Sequence, residues 1–600
     1  MRDRVAVLAP LLPLAWFAVA FLVVRPLTNG PVVDSWIYLR AVKNLRAGVL
    51  ALPGFTAALP FAQIVYGTLW SFLFGLNYVS LDCSVAVLGV AGAMLFYGLA
   101  RRCNAGREGA MLATSLLIAN PCYLFLSFSF MTDVPFVTAL IAGHLLFAMA
   151  QQGRVGRRLW ISALLLMVAF LVRPFALAAM VGSAGTLLLA HRPGRKWPGL
   201  VLPFAAAAAL SGLVWLWLTA LRPAPWMLDL RAGKLNYLYL VPVRVYFTDA
   251  LLAPLLYLGL VLSPLALPRL FSLRWRLGLA IAAGLAAVAI PTLLTDPGAN
   301  SIPELSCCGL WSNVLVLWGP LRFVWTDQAL RVAVLALSIL GTAGVALAAL
   351  EVSASSLGFV AVMISAAAYW GGIIPLWLFN DRYYLVMVPA GCLLLAVAPP
   401  PPGLAARTAS LALLALLGGC AIAGVYEQQR GLRAVIAARD TLIRQGVARS
   451  AIDAGYPLNG NDLYRDPQPG QRETFETEAG IPLITSLELK EYTIAAAPIS
   501  GTAIIKRIEW PGVWGLGRRQ LYLLKIAAGA QSPAAPSYAT GVKPGALPRQ
   551  ADLSAHPPLL VILARLIAMV MLMLAPLGGV LAALGIALSR QSLSALPPTH

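Results

Sequence analysis

Four short stretches of the sequence carry residues that could do chemistry. Asp34 stands in TNGPVVDSWIYLRAVKNLRAG (28–48), after a Gly-Pro turn and ahead of Tyr38, Arg40, Lys43 and Arg46. At helical spacing Arg40, Lys43 and Arg46 fall roughly on one face. A carboxylate beside such a basic stripe suits a general base next to an anionic headgroup. An N-cap aspartate on a solvated amphipathic helix accounts for the same spacing. Asp133 ends NPCYLFLSFSFMTDVPF (120–136) just before Pro135. It is the second candidate acid, or an acid placed at a helix N-terminus by the dipole. Arg173-Pro174 lies between two short apolar runs. Its planar fork could hold a phosphate with two hydrogen bonds, or it could snorkel. Asp381-Arg382-Tyr383-Tyr384 opens another apolar run, either as a second cation with an aromatic partner or as a local ion pair in an aromatic belt.

The elements that must position these residues are membrane spans. The 600 residues are 60% hydrophobic and 11% charged, with a mean hydropathy of +0.80. Soluble domains carry about 25% charged residues, so an array of soluble domains is excluded, and so is disorder. A span needs about 20 apolar residues. Candidate spans lie at 5–24, 83–100, 109–128, 134–150, 159–172, 174–190, 199–220, 247–268, 277–294, 328–350, 356–379, 383–399, 408–425 and 559–588. This predicts about fourteen transmembrane helices. The segment 61–77 is apolar and reads as lying along the membrane surface. The pair 159–172 and 174–190 is short enough to tilt or re-enter. The first run lacks a small-residue cleavage site and reads as an anchor.

The loops test this topology. Alternation puts 101–108, 151–158, 191–196, 269–276, Arg407 and Arg590 on the side of Arg2 and Arg4. Sixteen basic residues fall there against Asp3, Glu108 and Glu351. By the positive-inside rule that side is cytoplasmic, along with both termini. The formal charge of +20 then reflects topology, with no nucleic-acid partner implied. The other nine acids of the membrane part are Asp34, Asp82, Asp133, Asp229, Asp249, Asp296, Glu304, Asp327 and Asp381, all at outer loops or outer helix ends. None falls mid-span, where ion-coupled transporters place a carboxylate. Chemistry is therefore expected on the extracytoplasmic face of a multi-pass inner-membrane protein.

Four regions follow. Residues 1–425 form the multi-span module. Residues 426–530 read as a small extracytoplasmic α/β domain, with an amphipathic helix at 430–446 and strand-like runs at 482–497, 502–509 and 520–527. An Ala/Pro/Gly/Ser-rich linker covers 531–556. A C-terminal transmembrane helix and tail cover 557–600. The seven cysteines and four histidines show no metal-ligand spacing.

Taken in order, six strings resemble the GT-C glycosyltransferases, and among them the family-39-like group of protein mannosyltransferases and aminoarabinose transferases. They are Asp34-Ser35-Trp36-Ile37-Tyr38, YGTLWSFLFG leading to FYGLARR (96–102), NPCYLFLSFSFMTDVPF, LVRPFAL (171–177), FNDRYYLVMVPA (379–390) and, in the outer domain, GVARSAIDAGYPLNG (446–460). The resemblance spans most of 1–400 and thinly covers 426–530. It implies a polyprenyl phosphate sugar donor used on the outer face, with Asp34 as the main catalytic residue. Many relatives carry two adjacent acids in the first loop, whereas Ser35 follows Asp34 here. Asp133 is then the candidate second acid.

The expected reaction is transfer of the sugar to a hydroxyl or phosphate of a cell-envelope acceptor, be it glycan, lipid or protein, with inversion. Asp34 would be the base, and Asp133 would position the acceptor or sugar. Arg173, Arg382 and Arg40 or Lys43 would hold the phosphate, with Tyr38 and Tyr383 completing the binding set. Membrane lipid would surround the donor tail. No residue pattern assigns a cofactor, and a divalent cation stays open. The alternative reading is a transporter or flippase of lipid-linked sugars.

Overall fold

The structure is a computed structural model. It describes residues 11–50, 60–151, 155–190, 197–220, 251–271, 275–295, 328–352, 356–374, 381–401, 403–464, 490–495, 498, 502–511 and 518–526. The expected span 559–588, the linker and the acids Asp229, Asp249, Asp296, Glu304 and Asp327 lie outside them. Eighteen helices are numbered here in chain order. They are α1 Leu11–Val24, α2 Ser35–Arg46, α3 Phe61–Phe74, α4 Tyr78–Arg102, α5 Arg107–Ala119, α6 Pro121–Ser127, α7 Asp133–Ala150, α8 Val155–Phe170 and α9 Leu177–Ala190. There follow α10 Trp197–Ala220, α11 Ala253–Ala266, α12 Trp275–Thr295, α13 Gln328–Glu351, α14 Leu357–Ile373, α15 Asp381–Tyr384, α16 Val388–Val397, α17 Leu404–Arg444 and α18 Tyr456–Leu463.

The fold is a helical, multi-pass membrane bundle with a small sheet. Among the described residues six helices are long and apolar enough to cross a bilayer, or seven if one bent pair counts as a span. Shorter apolar helices of 10–17 residues accompany them. Of the fourteen expected spans, 559–588 lies outside the described residues and several others are these shorter helices. The run 109–128 is not one straight helix, since α5 and α6 meet at a 66° bend. Asn120 stands at the corner, its side chain accepting from Tyr123 N at 2.9 Å, and Pro121 follows at the first helical position. Proline there lacks only a donor that the first turn leaves unpaired anyway. The runs 408–425 and 430–446 are one helix, α17, of 41 residues. At 1.5 Å per residue it is roughly 60 Å long, about twice a bilayer core.

Contacts respect the expected alternation of sides. Arg269 pairs with Glu351 at 2.9 Å, and Arg407 with Glu108 at 3.7 Å, all four from loops assigned to one side. The Arg269 guanidinium also donates to the carbonyls of Leu395 and Pro399, at 3.1 and 2.7 Å. It thereby caps the open C-terminal end of α16. The other end of that span begins with Arg382 and Tyr383.

The sheet holds β1 Ile452–Asp453, β2 Tyr492–Ala495, β3 Thr502–Pro511 and β4 Arg518–Ile526 in the order β1-β2-β4-β3. The β1–β2 pair is parallel and the others are antiparallel, with a register shift on β3 between Ile504 and Lys506. Between β1 and β2 comes α18, which packs on α2. Gly460 meets the Trp36 indole so closely that a Cβ would clash.

Two buried contacts fix the loop that leads to Asp133. Asp82, in the second turn of α4, accepts from Phe130 N at 2.7 Å, and Gln63 Nε2 donates to Phe130 O at 3.3 Å. Gly67 leaves room for the Phe130 ring, whose Cζ would sit 2.5 Å from an added Cβ. Asp82→Ala is expected to lower stability by about 1–3 kcal/mol, because a buried N–H loses its acceptor. Asp82→Asn keeps an acceptor and should cost clearly less. Unfolding midpoints of the purified variants in detergent check the pair, and equal losses would remove the Phe130 contact as the cause.

Candidate active site

The loop before α2 presents Asp34 by an unusual local route. Val33 takes a positive φ of 49°, which is an outlier for a β-branched residue. Ser35 Oγ accepts from Val32 N at 2.7 Å, while Ser35 N donates to Val32 O at 3.0 Å. The two bonds close a tight turn around Asp34. The serine that follows Asp34 is thus a turn former here. Asp34 sits at the N-cap of α2, and its side chain makes no capping hydrogen bond.

The Asp34 carboxylate faces Arg382 instead, with Nη1 to Oδ2 at 3.1 Å. A second ion pair lies beside it, Arg173 Nη2 to Asp133 Oδ1 at 2.8 Å. Arg173 Nε also donates to Thr132 Oγ1 at 2.8 Å. The two pairs share an aromatic ring: Arg173 stacks on Tyr383 at 5.5 Å and Arg382 on the same ring at 5.2 Å. Tyr369 holds this stretch in place by donating its hydroxyl to Tyr383 O at 2.9 Å. Tyr38 is buried within reach of all four charges. Burial, and after it the Asp34 charge, pushes its phenol well above the ordinary range. At neutral pH the phenol is therefore a neutral donor.

Exposure separates the two carboxylates. The Asp34 side chain is 20% exposed and that of Asp133 only 1%. Asp34 can meet a substrate, whereas Asp133 is enclosed with its cation. The cations also hold donors in reserve, since Arg173 Nη1 and Arg382 Nε are buried without a hydrogen-bond partner. Such groups are costly to leave unmatched, and an oxyanion is their natural complement.

Six of the eight residues singled out in the sequence therefore meet: Asp34, Tyr38, Asp133, Arg173, Arg382 and Tyr383. Arg40 does not join them. Its Nη1 donates to Tyr464 O at 2.9 Å, and its guanidinium lies over the Tyr464 ring at 4.8 Å. Helical spacing alone could not foresee this, because Tyr464 is far away in sequence. Lys43 is exposed on α2. Thr132, Tyr369 and Asp82 were missed as positioning residues. Asp82 was visible as a rare acid in an apolar helix, but Thr132 and Tyr369 carry no sequence signal.

Among the described residues no group of three or more His, Cys, Asp and Glu side chains comes together. The two carboxylates each face a guanidinium, so this donor set does not suit a divalent cation.

No family model matches the chain, and no curated protein matches it. Among solved structures it is similar to ArnT from Cupriavidus metallidurans. The form bound to undecaprenyl phosphate shares 16% identity over 86% of this chain and 99% of that one, with a TM-score of 0.35. The apo form gives 15% over the same coverage, with a TM-score of 0.37. The archaeal oligosaccharyltransferase AglB from Archaeoglobus fulgidus, in complex with an inhibitory peptide and a dolichol-phosphate, shares 14% over 76% of this chain and 61% of that one, with a TM-score of 0.33.

Removing Asp133 alone strands the Arg173 cation in a buried place, which typically costs about 3–5 kcal/mol. Asp133→Ala is therefore expected to unfold far below wild type. The double variant Asp133→Leu/Arg173→Met should recover most of the loss, because it removes both charges. Differential scanning fluorimetry of the purified proteins reads this. Additive losses would mean that the two side chains are not energetically coupled.

Proposed function

We propose that this chain is a membrane glycosyltransferase that moves a sugar from a polyprenyl phosphate donor to an acceptor hydroxyl or phosphate on the extracytoplasmic face, with inversion and with Asp34 as base. One observation carries the reading. A buried and a half-buried guanidinium lie over one tyrosine ring, each keeps a buried unmatched donor, and a partly exposed carboxylate stands against one of them.

The chemistry suits such a set. A phosphate leaves as a stable anion and needs no strong general acid, in contrast to the alkoxide of a glycosidase reaction. One base and fixed positive charge then suffice. The acceptor oxygen attacks the anomeric carbon and gives its proton to Asp34. The bond from that carbon to the phosphate oxygen breaks, and the electron pair departs with the phosphate. Arg382 and Arg173 stabilise the departing charge, and the neutral Tyr38 hydroxyl donates to the phosphate or the sugar. Asp133 acts through Arg173, holding its fork in place. Arg40 and Lys43 are left outside the phosphate role. The bias of basic residues to the opposite loops supports the outer location.

Asp34→Asn keeps the shape and removes the base. Transfer from a polyprenyl phosphate sugar in membranes is expected to fall at least about 100-fold. Activity within about threefold of wild type at equal expression would remove Asp34 from the chemistry. Arg382→Lys keeps the charge and loses the fork, so the donor KM should rise more than kcat falls. Movement of labelled lipid across sealed vesicles without any new glycosidic bond would favour the flippase reading.

A further inference from the structure

A second cationic site lies apart from the ion pairs around Tyr383. A cleft of about 570 Å³ is lined by Leu22, Val23, Val24, Arg25, Tyr426, Arg430 and Arg433. Its size falls within the roughly 300–1,000 Å³ of small-molecule sites. It shares no lining residue with the candidate active site. Arg25 directly follows the apolar helix α1, and Arg430 and Arg433 stand one to two turns past the apolar half of α17. The cations therefore sit at one membrane boundary. Leu22 and Val23, exposed by 71% and 46%, form an apolar wall below them.

Three like charges in one cleft repel unless something answers them. Among the described residues no acid lines it. Arg430 Nη1 donates to Tyr426 Oη at 3.1 Å, and Arg433 Nε to Gln429 O at 3.1 Å. Both acceptors are neutral. Glu427, on the same helix, is buried and is not part of the lining. The chain also holds Arg25 at a positive φ of 48°, an uncommon conformation for a side-chain-bearing residue and one found at ligand clamps.

We infer that this cleft binds the phosphate of an anionic membrane phospholipid, with Arg25, Arg430 and Arg433 on the headgroup and the acyl chains against Leu22 and Val23. The occupant is a lipid rather than a free anion because the cationic and apolar walls are continuous at the membrane boundary. A bound lipid would also bridge α1 to α17 where α17 leaves the membrane. The inference does not depend on the transfer reaction.

The test uses the full chain in nanodiscs of phosphatidylcholine with or without phosphatidylglycerol, with retained lipid counted by native mass spectrometry. Wild type should retain phosphatidylglycerol selectively. Each Arg→Gln change at 430 or 433 should cut retention about fivefold, as expected for about 1 kcal/mol per cation near a membrane surface. Arg→Lys at the same positions should keep most of it. Arg25→Gln, at an exposed position, gives a third reading if a change at 430 or 433 prevents folding. Arg407→Gln, a basic residue elsewhere, should change nothing, and an equal loss there would overturn a specific site. Thermal protection by inorganic phosphate alone, equal to that by phosphatidylglycerol, would overturn the lipid assignment. No selective retention in wild type would overturn the site.

Discussion

Arg173 is charged at any physiological pH and almost wholly out of water. Desolvating an ion costs several kcal/mol, and only a close counter-charge with further polar contacts offsets it. Asp133 supplies the counter-charge and Thr132 one hydrogen bond. Much of the local fold follows from delivering these two neighbours. Asp133 must open α7 at the right depth, so the 128–132 loop is pinned by Asp82 and Gln63. The bend at Asn120 directs α6 back so that this loop can form. Tyr369 fixes the stretch bearing Tyr383, whose ring both cations use. The pair is weak as a source of net stability and strong as a constraint on geometry, since neither member tolerates loss of the other.

The small sheet domain connects to the same place by a different physics. The long α17 passes from the apolar bundle into it without a break. On its far side α18 sits on α2, the helix that follows Asp34. Arg40 bonds the Tyr464 carbonyl, Tyr464 packs on Trp36 at 5.4 Å, and Tyr78 Oη donates to Asn461 Oδ1 at 2.7 Å. The short loop ahead of α18 is tied by Asn459, which bonds both Asp453 and Ala454 N. The Gly-Tyr-x-x-Asn-Gly string is thus explained as packing, with Gly460 admitting the Trp36 indole. The small sheet domain therefore braces the helix that follows Asp34, and Arg40 serves that brace.

The helical membrane class and most of the site were legible in the sequence for one reason. Charges are expensive near a bilayer, so the few that stand in apolar surroundings, such as Asp133, Arg173 and Arg382, are there to be paired. Which acid meets which arginine was not legible. Asp34 pairs with Arg382, 348 positions away, although Asp381 is the neighbour in sequence. Hydropathy also missed the continuity of α17, because its polar half looks like a separate amphipathic helix. Thr132 and Tyr369 were invisible, since a hydroxyl in a loop or in an apolar helix gives no periodic signal.

The pairing of Asp34 with Arg382 bears on how a lone carboxylate could act. An aspartate paired at 3.1 Å with a guanidinium is held in one place by a close counter-charge. A phosphate arriving at Arg382 would compete for the same fork, and binding would then weaken the hold on Asp34. Ser35 supports this economy of charge. A second acid at that position would add another negative group beside Asp34. The hydroxyl instead closes the Val32–Ser35 turn and adds no charge. On the proposed reading Asp34 would thus be restrained until a donor is present, with the turn, the positive φ of Val33 and the shared tyrosine ring fixing its place.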